Sequence, residues 1–249
     1  MGQNAAVPPG RELSEADSYM SPGPLRSVVL RAVAFDLDDT LAVTARDRET
    51  LLAEAADRAD VAIDFDREDY LAAHREHSGT ESRRPVFEAL VGEQAPAVTR
   101  AYRAAVGEAM APVDGAAETV ERLRERYRVG LLTDGPDRTQ RDKLRRLGWT
   151  DSFDQILVTG ALGAPKPDAA AFASLCGALD VAPEAVAYVG DDPDRDIAGA
   201  AAAGLLAIQV TYDGGPAVHP DADASLSREE LPTLPALLTE LVGDGTDDA

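Results

Sequence analysis

Short apolar segments alternate with helical segments through most of this chain, and this alternation limits the folds open to it. The apolar segments are predicted to form buried strands at residues 32–35, 128–133, 155–160, 185–190 and 205–210. The helical patterns that separate or follow them cover residues 116–127, 138–147, 169–179, 196–203 and 231–241. Strands that alternate with helices favour a parallel sheet, so we predict an α/β fold with helices on both faces of the sheet.

A second unit interrupts this alternation. Between residues 46 and 110, apolar residues recur at three- and four-residue spacing without a strand pattern, which predicts a helical bundle inserted after the first strand. We therefore assign residues 27–45 and 111–242 to the sheet-containing core and residues 46–110 to the insertion. Residues 1–26 are rich in proline and glycine and are predicted to be a disordered tail, and residues 243–249 form an acidic tail.

The first apolar segment stops at Asp36, and Asp38 follows two positions later. Residues two apart in a strand share a face, so these carboxylates are expected to crowd one position. Like charges this close repel one another, which indicates a bound cation or a shared proton. The alternative is that the acidic cluster caps the N-terminus of a helix.

Three other polar residues occupy positions similar to that of Asp36. Thr133 ends a predicted strand, Asp191 directly follows another, and Lys166 lies in the loop after a third. The carboxyl ends of parallel strands meet at one edge of a sheet, where ligand sites form. We therefore expect the four side chains to converge.

The formal net charge of −21 makes nucleic acid and anionic membranes poor partners for this chain. Of its 24 basic residues, the only lysines are Lys143 and Lys166. An acidic excess with so little lysine resembles halophilic proteins, in which high salt screens self-repulsion. The alternative is an acidic protein encoded by a GC-rich genome.

No apolar run approaches the roughly 20 residues of a membrane helix. The N-terminal segment lacks the basic and apolar regions of a secretory signal. Cys176 is the single cysteine, so no internal disulfide can form. We therefore expect a cytoplasmic protein, either a monomer or a homodimer.

The order of the motifs resembles that of the haloacid dehalogenase (HAD) superfamily. The motifs are DxDxT at residues 36–40, a strand ending in Thr133, a Lys-Pro pair at 166–167 and GDDxxxD at 190–196. Within the superfamily they are similar to phosphatase-like members whose helical cap is inserted after the first motif. The resemblance implies a Rossmann-like core, an all-α cap at residues 46–110 and Mg²⁺-dependent phosphoryl transfer.

The resemblance also implies roles for individual residues. Asp36 matches the nucleophile, whose attack on phosphorus gives an aspartyl-phosphate. Asp38 matches the general acid and base, which protonates the leaving oxygen and then activates water.

The implied phosphate-binding groups are Thr133, the backbone N–H groups of Asp134 and Gly135, and Lys166, which offsets negative charge. Two positions depart from the pattern of many members. Asp39 stands where glycine is common, and Asp134 stands where asparagine is common. Each departure adds negative charge near the phosphate site.

The resemblance implies that Mg²⁺ is bound by Asp36, by the backbone carbonyl of Asp38 and by Asp191. Oxygen ligands of this kind suit Mg²⁺. Asp192 and Asp196 match the remaining acidic positions, and either of them could reach the metal.

Polar residues of the insertion are candidates for substrate contact. They are His74, His77, Arg83 and Arg84, and the alternative is that they lie in a solvated loop. The helix predicted at residues 138–147 carries five basic residues and is expected to present a solvated face.

Together, these expectations predict that the protein is a Mg²⁺-dependent phosphomonoester hydrolase that acts on a small phosphorylated metabolite through an aspartyl-phosphate intermediate. Three alternatives stay open: a phosphomutase of the same fold, a haloacid dehalogenase in which Asp36 attacks carbon, and a binding or regulatory module that has lost catalysis.

Overall fold

The computed structural model of the protein describes residues 29–77 and 82–242. The predicted tails at residues 1–26 and 243–249 lie outside the described residues, as does part of the loop after His77. The described strands are β1 (Ala32–Phe35), β2 (Ala42–Thr44), β3 (Met110–Pro112), β4 (Arg128–Thr133), β5 (Gln155–Val158), β6 (Val186–Gly190), β7 (Leu206–Thr211) and β8 (Ala224–Ser227).

Helices separate most of these strands. They are α1 (Arg48–Ala59), α2 (Arg67–His77), α3 (Arg84–Val91), α4 (Ala95–Ala109), α5 (Ala116–Arg124), α6 (Asp137–Leu147), α7 (Thr159–Leu162), α8 (Ala169–Leu179), α9 (Gly199–Ala202) and α10 (Leu234–Val242). None of the helices in the described parts of the chain is both long and apolar enough to cross a membrane.

The main sheet has six strands in the order β5-β4-β1-β6-β7-β8, and every neighbouring pair is parallel. The predicted parallel α/β sheet is therefore confirmed. β1 lies near its centre, with β4 on one side and β6 on the other. Because the strands are parallel, the residues that follow β1, β4 and β6 leave the sheet at the same edge.

Alternate side chains of β1 pack into two different apolar clusters. Val33 and Phe35 belong to the cluster that includes residues of α5 and α10, and Ala32 and Ala34 belong to the cluster that includes residues of α8. This alternation follows from the two-residue period of a strand. All four side chains are fully buried, so the strand is continuously apolar up to Asp36.

Several boundaries differ from the predictions. β5 ends at Val158 because Thr159 begins the short helix α7. The helix predicted at residues 196–203 is a π-helix over Pro193–Ala198 followed by α9. β8 was not predicted, since its four residues show little apolar periodicity. It pairs with β7 at the edge of the sheet.

The segment between β2 and β3 contains α1 to α4, which pack around an apolar cluster of their own. We call α1 to α4 the helical unit. Asp47 caps α1 by accepting a hydrogen bond from the Thr50 backbone N–H at 2.8 Å. β2 and β3 pair antiparallel where the chain leaves and re-enters the core. The assignment of residues 46–110 as a cap stays a prediction.

Candidate active site

Asp36 lies directly after the central strand β1. Its backbone N–H donates to the carbonyl of Val189 in β6 at 2.9 Å, which ties the residue to the sheet. Its side chain is buried and accepts a hydrogen bond from Lys166 Nζ at 2.7 Å. Burial raises the pKa of Asp36 well above its usual range, although the Lys166 ammonium opposes this shift.

The Lys166 ammonium is buried among oxygen atoms. It donates to Asp36 at 2.7 Å, to Asp196 Oδ1 at 2.6 Å and to the Tyr188 hydroxyl at 3.1 Å. The Tyr188 hydroxyl in turn donates to the Leu132 carbonyl at 3.0 Å. Burial alone would lower the pKa of Lys166, but the Asp196 and Asp36 carboxylates outweigh burial and raise it. The lysine is therefore charged and held in place by two carboxylates.

Carboxylate oxygens of Asp36, Asp191 and Asp196 lie within 4.8 Å of one another. Burial, followed by the charges of Asp196 and Asp39, raises the pKa of Asp191 to about 7. Thr40 Oγ1 donates to Asp191 Oδ1 at 3.3 Å. Three crowded carboxylates repel one another, and a divalent cation bound by oxygen ligands would relieve that repulsion. The residues present therefore fit a site for a divalent cation that prefers oxygen ligands.

The two acidic residues left undecided by the sequence differ in position. Asp192 accepts hydrogen bonds from the backbone N–H groups of Asp194 and Arg195 and pairs with the Arg195 guanidinium at 2.6 Å. Its carboxylate thus caps the π-helix and is not part of the cluster of three. Asp196 belongs to that cluster, but one of its oxygens accepts from Lys166 and the other from the Asp192 backbone N–H.

Asp38 faces α6 rather than the carboxylate cluster. Lys143 Nζ lies 2.6 Å from both carboxylate oxygens, and Gln140 Nε2 donates at 2.8 Å. Burial opposes ionisation of Asp38, but Lys143, Gln140 and the charge of Arg83 outweigh burial and lower its pKa. Asp38 is therefore a carboxylate in this structure.

The prediction that the basic residues of 138–147 lie on a solvated face is wrong for Lys143, whereas the four arginines of this helix are exposed. Gln140, Lys143 and Leu144 are buried on the inner side of α6. Their spacing of three and four residues places them on one helical stripe, but two of the three are polar, so hydrophobic periodicity alone did not reveal it. Lys143 and Lys166, the only lysines in the chain, both lie at the site.

The loop after β4 is anchored by side-chain hydrogen bonds. Thr133 Oγ1 is buried and accepts from Gln140 Nε2 at 2.6 Å. The Asp134 carboxylate accepts a hydrogen bond from the Lys166 backbone N–H at 3.1 Å. This bond links the loop after β4 to the loop that carries Lys166. Gly135 has a φ of 123°, a backbone conformation that side chains rarely adopt.

Asp39 has a left-handed backbone conformation, with a φ of 62°. Aspartate tolerates this region better than most residues do, whereas glycine adopts it without penalty. Its carbonyl accepts a hydrogen bond from Arg228 Nη2 at 2.6 Å. The tight turn explains why a small or permissive residue is needed directly after Asp38.

The structure separates the two arginines proposed for substrate contact. Arg84 is exposed and pairs with Glu88 one turn along α3, at 2.7 Å. Arg83, one position earlier, is partly buried, and its charge contributes to the low pKa of Asp38. His77 lies at the end of α2, and its nearest acidic side chain is Glu76 at 3.9 Å. Of Arg83, Arg84 and His77, Arg83 is the one whose charge contributes to the pKa of Asp38.

His74 is half-buried in the helical unit. Its ring centroid lies 5.9 Å from that of Tyr70. Burial, followed by the positive charges of Arg83, Arg48 and Arg195, lowers the pKa of His74 to about 4. His74 is therefore neutral near pH 7, and three guanidinium groups act on it from different parts of the chain.

Gly190 allows the Asp196 side chain to lie against the end of β6. A Cβ atom at Gly190 would lie 2.5 Å from three atoms of the Asp196 side chain. We expect Gly190→Ala to lower the free energy of unfolding by about 1–3 kcal/mol through overpacking and to separate Asp196 from Lys166. Urea unfolding measures the loss.

Gly177→Ala in α8 is the matched control, because nothing lies within 4 Å of the added Cβ. Removing glycine from a helix interior should stabilise the protein by about 0.5–1 kcal/mol. A Gly190→Ala protein as stable as the Gly177→Ala protein would contradict the close packing inferred for Asp196.

Comparisons with known proteins agree with this geometry. Residues 30–204 match the family model of haloacid dehalogenase-like hydrolases. Ribulose-1,5-bisphosphate 5-phosphatase of Halopiger xanaduensis is 32% identical over an alignment of 237 positions that covers 87% of this chain and 98% of that protein. Phosphoserine phosphatase of Thermus thermophilus is 35% identical over 51% of this chain, and the match spans only 59% of that protein.

Solved structures share the fold. A 2-haloacid dehalogenase from Pseudomonas syringae pv. Tomato superposes with a TM-score of 0.65 at 24% identity, over 85% of this chain and 99% of that one. At this identity the likeness concerns the fold alone, so the reaction has to be argued from the residues of the site.

Proposed function

Because the chain belongs to the haloacid dehalogenase-like hydrolase family, we propose that it is a Mg²⁺-dependent phosphatase of a small phosphorylated metabolite. The observation that carries this proposal is the position of Asp36. It lies at the carboxyl end of the central strand, within 2.7 Å of Lys166 and close to two further carboxylates. The activities named for the Halopiger and Thermus relatives, both phosphatases, support the same reaction class.

In the first proposed step, a carboxylate oxygen of Asp36 forms a bond to phosphorus while the bond from phosphorus to the leaving oxygen breaks. Asp38 gives its proton to that oxygen, so a neutral alcohol departs. Lys166 holds Asp36 and offsets the negative charge that gathers as the phosphoryl group approaches. Thr133 and the backbone N–H groups of Asp134 and Gly135 are proposed to bind the phosphoryl oxygens.

In the second step, Asp38 removes a proton from water as the water oxygen attacks phosphorus. The bond between Asp36 and phosphorus breaks, which releases inorganic phosphate and restores the Asp36 carboxylate and the protonated form of Asp38. The ion pair between Asp38 and Lys143 stabilises the carboxylate form of Asp38, which is the form that this second step requires. For the first step, Asp38 has to leave Lys143 and carry a proton.

Asp36 and Asp191 are the side chains proposed to hold Mg²⁺, with the backbone carbonyl of Asp38 as a third ligand. Asp196 lies close enough to contribute, but its hydrogen bonds favour a role in positioning Lys166. Bound Mg²⁺ would neutralise part of the negative charge on the carboxylates and the phosphoryl oxygens. Asp192 is not proposed as a ligand, because its carboxylate pairs with Arg195.

The helical unit is proposed to act as a cap over the site. Arg103 of α4 pairs with Asp142 of α6 at 3.7 Å, so the helical unit contacts the helix that carries Gln140 and Lys143. The charge of Arg83 also contributes to the low pKa of Asp38. Residues of the cap would then contact the organic part of the substrate.

The proposal is tested by measuring phosphate release from a panel of phosphomonoesters that includes p-nitrophenyl phosphate. We expect release to require Mg²⁺, to stop with excess chelator, and to be inhibited by Ca²⁺. Ca²⁺ binds oxygen ligands at longer distances and with looser geometry, which would misplace the reacting groups.

Assays of the other reactions separate the phosphatase from the alternatives. Halide release from 2-haloacids without phosphatase activity would identify a dehalogenase. Isomerisation of a sugar phosphate without net phosphate release would identify a phosphomutase. Full phosphatase activity in excess chelator would contradict the metal requirement.

A further inference from the structure

β8, the strand that hydrophobic periodicity did not predict, ends at the same edge of the sheet as the candidate active site. It is the last strand of the parallel sheet, so the residue after it leaves the sheet where Asp36 and Asp191 do. That residue is Arg228. Tyr212 directly follows β7 in the same way. Two further side chains therefore start from the edge that carries the site.

The Arg228 guanidinium holds the turn that directly follows Asp38. Arg228 Nη2 donates to the Asp39 backbone carbonyl at 2.6 Å, and Arg228 Nε donates to the same oxygen at 3.2 Å. Among residues 29–77 and 82–242, no other group donates to this carbonyl. The Asp39 carboxylate lies farther from Nη2, at 3.7 Å. The closest contact of the guanidinium is therefore with the backbone of the turn.

Arg228 is itself held in place by its neighbours. Its guanidinium carbon lies 4.0 Å from the centroid of the Tyr212 ring, which is a cation–π contact. Its backbone begins a short 3₁₀ helix, and that helix start is fixed by a capping box in which the Ser227 N–H donates to the Glu230 carboxylate at 2.9 Å. Because both ends of the side chain are fixed, the guanidinium is preorganised to bind the carbonyl.

The turn carries groups on both sides of Asp39 that the proposed reaction needs. Asp38 precedes it and supplies the acid–base carboxylate and a proposed metal ligand, and Thr40 follows it and donates to a carboxylate of the cluster at 3.3 Å. The peptide before Asp39 is fixed within the turn, because the Asp39 N–H donates to the Ala42 carbonyl at 2.8 Å. The peptide after Asp39 is fixed by Arg228. Arg228 therefore sets how Asp38 and Thr40 are oriented relative to each other.

We propose that Arg228 is a positioning residue for the phosphoryl transfer, with Tyr212 as its support. By holding the turn, Arg228 keeps Asp38 and Thr40 in the arrangement that the metal and the substrate require. The left-handed conformation of Asp39, with a φ of 62°, makes this contact more important, because a non-glycine residue keeps such a conformation only where its surroundings enforce it. The inference rests on the proposed function and adds to it a residue that lies outside the four sequence motifs.

Arg228→Gln removes the charge and the paired donors. We expect kcat for p-nitrophenyl phosphate at saturating Mg²⁺ to fall by about tenfold to a hundredfold, the effect of losing a hydrogen bond from a charged donor. KM should change by less than about twofold, because Arg228 acts through the turn and not on the substrate. Calorimetric titration with Mg²⁺ alone gives a readout that is independent of activity. The Kd for Mg²⁺ should rise by about tenfold to a hundredfold, as for other residues that hold a metal ligand in place.

Arg122→Gln is the matched control. Arg122 is an exposed residue of α5, and its replacement changes the net charge of the chain by the same amount. Surface substitutions of this kind have small effects, so kcat and the Kd for Mg²⁺ should both stay within about twofold of the wild-type values.

Asp39→Gly separates the two contacts of Arg228. Glycine keeps the carbonyl, removes the carboxylate and adopts a positive φ without penalty. If Arg228 acts through the carbonyl, Arg228→Gln should cost at least as much in the Asp39→Gly background as in the wild type, because glycine leaves the turn freer. Disappearance of the loss in that background would overturn the proposal, since Arg228 would then only offset the charge of Asp39.

Tyr212→Leu provides a second variant if Arg228→Gln does not fold. It removes the ring and keeps the guanidinium, so kcat should fall by about twofold to fivefold with KM unchanged. In the folded variant that is measured, wild-type values of kcat and of the Kd for Mg²⁺ would overturn the proposal, even if the melting temperature falls. Absence of phosphate release by the wild type on every substrate would instead contradict the proposed function, and the Mg²⁺ titrations of the variants would still decide the role of Arg228.

Discussion

Replacing Asp36 by asparagine is expected to remove phosphate release with every substrate. The amide is nearly the same size as the carboxylate but cannot attack phosphorus, so no aspartyl-phosphate forms. Loss of a catalytic nucleophile typically lowers kcat by on the order of 10⁶-fold. The measurement is a single-turnover reaction with p-nitrophenyl phosphate, combined with intact-mass detection of a phosphorylated protein. We expect neither a burst of nitrophenolate nor a phosphorylated species.

Asp57→Asn provides a control for this substitution, because Asp57 is an exposed residue of α1. It makes the same chemical change away from the site and should leave turnover unchanged. Thermal unfolding of both variants checks that the Asp36→Asn protein is folded. A burst of nitrophenolate from folded Asp36→Asn protein would show that another group is the nucleophile.

Replacing Asp38 by asparagine is expected to have an effect that depends on the leaving group. Help from a general acid accelerates a reaction by about 10²–10⁴-fold. Nitrophenolate leaves readily without a proton, whereas an alkoxide does not, so the loss in the first step should be larger for an alkyl phosphate. The second step needs Asp38 as a base with either substrate. The phosphorylated protein should therefore accumulate when p-nitrophenyl phosphate is used, and intact-mass measurement detects it.

The Asp38→Asn substitution also changes the environment of Lys143, so the experiment needs a second control. In Asp38→Asn, the buried Lys143 ammonium loses the carboxylate that lies 2.6 Å away, and this change could disturb α6. The double variant Asp38→Asn/Lys143→Met removes both charges together, so it separates the chemical effect from an unpaired buried charge. Equal fractional losses for both leaving groups, with no phosphorylated protein in either variant, would contradict the role of Asp38.

The sequence alone predicted the convergence of the residues at the candidate site because strand ends are local features. Asp36 and Asp191 directly follow apolar strands, and Thr133 ends another. Once the strands are parallel, their carboxyl ends have to meet at one edge of the sheet. Short apolar runs with a sharp change of polarity therefore predicted both the fold class and the convergence of Asp36, Asp191 and Lys166 that the structure contains.

The partners of these residues were decided only by the tertiary structure. The pair between Asp38 and Lys143 joins residues 105 positions apart, and it depends on how α6 is rotated about its axis. Polar residues on the inner stripe of α6 hid that rotation from the hydrophobic pattern, so Lys143 was assigned to a solvated face. Tyr188, which accepts a hydrogen bond from Lys166, is one aromatic residue in an otherwise ordinary strand pattern.

Adjacent residues of the same type show the limit of sequence reasoning most clearly. Arg83 and Arg84 are chemically identical, yet one has a buried donor without a partner among residues 29–77 and 82–242 and the other pairs with Glu88 on the surface. Successive residues at a helix start point about 100° apart, so packing of α3 against its neighbours decides which of them faces the site. Asp191 and Asp192 differ in the same way, since one joins the carboxylate cluster and the other caps the π-helix. Composition and periodicity determined the central strands and most of the helices, whereas the direction of a polar side chain depends on contacts between distant elements.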